Sequence, residues 1–113
     1  MVHPETMSES TTDPVVRRVE VRNRAGLHAR PATMLSLKAK EFEAEVELVL
    51  ADVPAGHHLD AGTRADAKNS IELISLGAPL GTALDIEASG SDAADAVTAL
   101  ADLFDTCFGL EDE

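Results

Sequence analysis

Gly26-Leu27-His28-Ala29-Arg30-Pro31-Ala32 decides how this 113-residue chain is read. It follows a strand-like run, Val15–Val21, and precedes a run with helical periodicity, so its histidine sits where a strand hands over to a helix. Gly26 suits a tight turn because it can adopt backbone angles closed to other residues. Pro31 falls in the first helical turn, where its missing N–H removes no intrahelical bond. The unpaired N–H groups of that turn and the positive end of the helix dipole favour a phosphoryl group beside the imidazole. The same potential favours the neutral, nucleophilic form of His28, an activated nucleophile without a separate base. Arg30, two residues on, offers a planar fork of donors to the same anion. Taken alone, a histidine before a helix is more often a capping or surface residue, so His-x-Arg is not by itself a catalytic signature.

Moving outward, Val15–Arg22 alternates with period two and predicts a half-buried strand, with Asn23–Leu27 as the turn. A helix is predicted from about Ala29 to Lys40. Ala32, Leu35, Ser36 and Ala39 share one face, and Arg30, Thr33, Met34 and Leu37 share another. Met34 and Leu37 fit either an exposed docking surface or a wide buried stripe. Glu45–Ala51 alternates as a second strand. Asp52–Thr63 has the glycines and proline of a loop and contains His57-His58; adjacent side chains diverge and no third ligand is spaced for a metal, so none is expected. Arg64–Lys68 fits a short third strand. Asn69 is a good N-cap for a short helix through Leu76, with Gly77 as its stop. Ala83–Ala88 alternates as a fourth strand, and Ser91 or Asp92 opens a last amphipathic helix to about Phe108. The order strand, helix, strand, strand, helix, strand, helix is met most economically by an antiparallel sheet with helices on one face.

Composition narrows the function. The chain carries a formal charge of −12, which argues against nucleic acid and anionic membranes as partners. All nine basic residues lie before position 69, whereas the segment from Asn69 on carries ten acids and no base. Arg22, Arg24 and Arg30 bracket His28, either as a local positive patch or, for Arg22 and Arg24, as ordinary solvated charges. Trp and Tyr are absent and Phe occurs three times, so the core must be aliphatic. No apolar run is long enough to span a bilayer and no secretory signal pattern is evident, which predicts a cytoplasmic protein. Cys107 is the only cysteine and reads as a small apolar residue near the last helix. Met1–Asp13, with an inert His3, is expected to be a disordered extension, 14–110 one domain with a loop insertion at 52–63, and 111–113 an acidic tail.

The string Gly26–Ala32, extended by Thr33, resembles the active-site segment of the HPr family, the histidine-containing phosphocarriers of bacterial phosphotransferase systems. Ala67-Lys68-Asn69-Ser70-Ile71-Glu72-Leu73-Ile74-Ser75-Leu76-Gly77 is similar to the family's second helix and its approach. The resemblance implies an α+β open-faced sandwich, a four-stranded antiparallel sheet covered on one face by three helices. It implies that His28 takes a phosphoryl group on Nδ1 from phosphorylated enzyme I and passes it to an enzyme IIA domain, with Arg30 assisting and Gly26 and Ala29 supporting the phosphate. The partner-docking surface would be Thr33, Met34, Leu37, Ser70, Ile71, Ile74 and Ser75. No cofactor is implied, and a monomer is expected; regulatory proteins are further partners.

Two departures matter. The 52–63 connection is longer than is usual in the family and is expected away from His28. Asn69 stands where many members carry a regulatory serine, leaving Ser70 as the remaining candidate phosphosite against an ordinary reading as a helix residue. The acidic C-terminal third also resembles the nitrogen-related NPr branch, so both sugar uptake and a regulatory relay are open. A different class of function, a protein-binding regulator using the same helix surface without phosphotransfer, would not require His28 and Arg30 together.

Overall fold

The computed structural model describes residues 14–110; the N-terminal extension with His3 and the acidic tail 111–113 lie outside the described residues. Four strands, β1 (Val15–Glu20), β2 (Glu45–Asp52), β3 (Arg64–Asp66) and β4 (Ala83–Ser89), form one antiparallel sheet in the order β1-β4-β2-β3. Three helices, α1 (Ala29–Ala39), α2 (Ser70–Ser75) and α3 (Ala93–Asp105), complete the α+β sandwich expected from the sequence.

Side-chain alternation sets the two faces of the sheet. Leu84, Ile86 and Ala88 of β4 and Val46, Leu48 and Leu50 of β2 point into a core shared with Leu35 of α1, Leu73 of α2, and Leu100 and Phe104 of α3. The other face is charged. There Arg18 pairs with Asp85, and Arg64 bridges Glu47 at 2.7 Å and Glu87 at 2.9 Å. Exposed pairs of this kind contribute little to stability. Val49 lies on this face between its partners Asp85 and Arg64, yet is 7% exposed, which the alternation alone does not foretell.

The three helices begin in different ways. Asn69 accepts from the N–H groups of Ile71 and Glu72 at 3.0 and 3.2 Å, closing the start of α2 as its type predicts. Asp92 makes no such bond to α3. Its carboxylate instead accepts from the N–H groups of Glu43 and Ala44, at 2.9 and 2.8 Å, and ties the approach to β2 to the last helix. Those two amides, with Lys68 adding a weaker attraction, hold its carboxyl below the ordinary aspartate value.

The last helix ends earlier than the apolar stripe predicts. It stops at Asp105, and Cys107–Gly109 forms a tight turn with Cys107 and Phe108 at φ 52° and 58°. This turn folds Phe108 back until its ring meets Phe104 edge-on, 5.1 Å between centroids, burying both. The first and third strands are also shorter than their alternating runs, ending at Glu20 and Asp66.

Candidate phosphoacceptor site

His28 is the N-cap of α1, with extended backbone (φ −95°, ψ −166°) and no side-chain capping hydrogen bond. The turn before it is fastened at several points. Gly26 N–H donates to Asn23 O at 3.1 Å, and His28 N–H donates to Gly26 O at 2.9 Å. Leu27 is 4% exposed and anchors the turn in the core. Its N–H donates to the carbonyl of Ala78 at 2.9 Å.

Gly26 is required here on two counts. Its φ of 75° is left-handed, and a Cβ at this position would run into the backbone of Ala78 and Pro79. The segment that closes on it is itself held. Thr82 N–H donates to Pro79 O at 3.1 Å and its hydroxyl to the same oxygen at 2.8 Å, while Gly81 N–H and Thr82 O pair with Val21 at 2.8 Å each. Asn23 and Ala78 are thus the two supports of the turn that the motif does not reveal. Asn23 could have been found as the first residue of an Asn-x-x-Gly turn; Ala78 carries no local signal.

The imidazole of His28 is half-buried and its Nε2 is shielded from solvent. Ala29 and Arg30 follow it as the first exposed residues of α1, and Pro31 is buried in the first turn. No acidic side chain occupies that turn. Arg22, expected to bracket His28, instead donates to the carbonyl of Asp105 at 3.2 Å, because the end of α3 presents unpaired carbonyls beside β1. Arg24 is exposed in the turn.

The candidate docking residues separate by burial. Leu37 is 59% exposed, Ile71 70% and Ile74 38%, with Thr33 and Ser75 also exposed on the neighbouring helices α1 and α2. Met34 is half-buried against the core, so the open choice for this pair resolves differently for each residue. Ser70 is half-buried at the first position of α2, and Ser75 donates its hydroxyl to Ile71 O at 2.9 Å.

The 52–63 loop approaches the same segment, 77–81, that closes on Gly26. Leu59 approaches Gly77 and Pro54 approaches Gly81, while Gly62 and Thr63 pair with Leu50. His57 and His58 are exposed in it, and among the described residues no three metal-ligating side chains gather. No helix among them is long and apolar enough to cross a membrane.

The family model described as the PTS HPr component phosphorylation site matches residues 15–106. Phosphocarrier protein NPr of Proteus mirabilis is 37% identical over 81% of this chain and 92% of its own length. Phosphocarrier protein HPr of Neisseria meningitidis is 33% identical over 80% of this chain and 91% of its own. Among solved structures, HPr from Thermoanaerobacter tengcongensis superposes with a TM-score of 0.72 at 29% identity, covering 86% of this chain and 98% of that one. HPr from Bacillus anthracis superposes with a TM-score of 0.66 at 32% identity, over 80% and 96%. A phosphorylation-site model spanning both the His28 turn and the sheet that supports it, together with these relatives, shows that the chain belongs to the HPr family of the phosphotransferase system.

Proposed function

We propose that this protein is a phosphocarrier that accepts a phosphoryl group on Nδ1 of His28 from phosphorylated enzyme I and passes it to an enzyme IIA domain. The observation that carries the reading is a histidine at the N-cap of an eleven-residue helix whose first turn holds Arg30 and no acid. Nε2 is shielded, so in-line approach falls to Nδ1. The Nδ1 lone pair attacks phosphorus as the donor N–P bond breaks, the electron pair returning to the donor imidazole. The second transfer repeats this with His28 as leaving group. Little covalent assistance is needed, because such a transfer depends mainly on alignment and on charge held at the equatorial oxygens. The N-terminal amides of α1 and the Arg30 guanidinium would supply that charge. Leu37, Ile71 and Ile74, exposed on adjacent helices, fit a small transient docking face used in turn by donor and acceptor. With Asn69 closing α2, no hydroxyl stands at the usual regulatory position.

The test is transfer of labelled phosphate from phosphoenolpyruvate through enzyme I of the same cell. Acid-labile label on the wild type and none on His28→Ala is the expected result. An unlabelled wild type, or equal labelling of the His28→Ala variant, would overturn the reading.

A further inference from the structure

Asn23 is 3% exposed although Arg22, Arg24 and Ala25 around it are exposed. Its side chain donates from Nδ2 to the carbonyl of Gly26 at 2.5 Å. That carbonyl also accepts the N–H of His28 at 2.9 Å, so both of its lone pairs are engaged. The direction of one peptide group therefore determines how the chain enters His28, and the amide of Asn23 fixes that direction from beneath. The carbonyl of Ala78 blocks Gly26 on its other side and receives Leu27 N–H. Gly26 is gripped between the two.

The other half of the same amide points to the donor as the part that matters. Asn23 Oδ1 is buried and makes no hydrogen bond among the described residues. A buried, unsatisfied acceptor is unfavourable. A side chain needed only to fill this space would be apolar, and one needed only as an acceptor would use this oxygen. The amide cannot be turned over, because Gly26 offers a carbonyl that only the NH₂ group can satisfy.

We infer that Asn23 is a positioning residue for phosphoryl transfer, holding His28 at the start of α1 through the Gly26 carbonyl. The inference rests on His28 being the phosphoacceptor. In-line transfer tolerates little misplacement, since a shift of about 1 Å can lower a rate about a hundredfold. A ring that swivels on a loosened turn loses alignment with the N-terminal amides while the docking face on α1 and α2 stays intact.

The experiment compares the full chain with Asn23→Ala, Asn23→Asp and Asn23→Ser, using this protein as the substrate of enzyme I. Aspartate matches the shape without the donor when ionised, and the serine hydroxyl stops one bond short of Gly26. We expect kcat to fall about tenfold or more with KM within about twofold, because alignment is lost and docking is not. In the same variants, hydrogen exchange at the His28 amide should accelerate beyond the change at core amides of β4, which a uniform loss of stability cannot produce. Any variant that fails to fold is set aside, and the split is read from those that do. Unchanged kcat, a change confined to KM, or His28 exchange that merely follows the core would overturn the inference. If the wild type takes no label, the carrier reading falls by itself, and the exchange measurement still upholds or overturns the hold of Asn23 on His28.

Discussion

The starts of α1 and α2 lie on neighbouring helices and are built to opposite ends. At α2, Asn69 bonds two first-turn amides and Glu72 lies in that turn, its carboxylate accepting from Asp66 N–H at 2.9 Å. Side chains of the protein already answer the positive end of this helix. At α1 the N-cap is His28, its side chain makes no capping hydrogen bond, and no acid is present in the first turn. A helix start closed by its own side chains is a structural joint, whereas one without an acid or an amide cap can receive an anion from outside. Asp92 shows a third use: an N-cap residue whose carboxylate ties down Glu43 and Ala44 rather than its own helix.

The contrast can be broken most severely by removing charge from the α1 site. Arg30→Ala should slow labelling of His28 by enzyme I about a hundredfold, as loss of one transition-state donor typically does. The exposed Arg30 leaves the melting temperature within a degree or two on its removal. A fall in Tm matching the fall in rate would instead make Arg30 structural.

Ala29→Asp would close α1 in the manner of α2. The added carboxylate should raise stability by about 0.5 kcal/mol through the helix dipole. It should also lower phosphorylation about tenfold, because it opposes the incoming phosphoryl group at that end. Thermal unfolding and initial labelling rate read the two signs separately, and a gain in both would deny that the amides face the phosphate.

Opening α2 should lower stability and leave transfer alone. Asn69→Ala is expected to cost about 1 kcal/mol, the ordinary value of a lost N-cap. That corresponds to a drop of about 4–8 °C in Tm for a domain of this size. The labelling rate of His28 should hold within twofold.

The smallest effect concerns Asp92 and appears only with pH. Its carboxyl is held below the ordinary value of 3.8 by the amides of Glu43 and Ala44. A lowered carboxyl stabilises the fold when ionised, so the contribution is full above the unfolded value and fades as pH falls through the lower folded value. Asp92→Asn should therefore melt below the wild type at pH 7, with the gap closing as acid takes the pH below the ordinary value of 3.8. A gap unchanged across that range would assign the Asp92 effect to packing.

Much of this was legible because the relevant physics is local. The buried residues of α1 include Ala32, Leu35, Ser36 and Ala39, the face picked out by periodicity. Asn69 caps and Gly77 follows with φ 66°, as their types suggest. His28 and Arg30 fall at the start of a helix because Gly26 and Pro31 permit little else. What escaped the sequence depends on partners far along the chain. Arg22 is drawn to the carbonyl of Asp105, Met34 turns to the core while Leu37 does not, and the 52–63 loop packs at Gly77 and Gly81.

By itself, then, the sequence determined the order of elements, the place of His28 at the start of a helix and the ends of α2, all set by dihedral preference, capping and side-chain period over a few residues. Only the tertiary structure decided that Ala78 grips Gly26 and Leu27, that Arg22 reaches the carbonyl of Asp105, and that Leu59 and Pro54 of the 52–63 loop approach Gly77 and Gly81. Those outcomes depend on which backbone carbonyl or ring arrives from a distant segment, and no local propensity encodes that arrival.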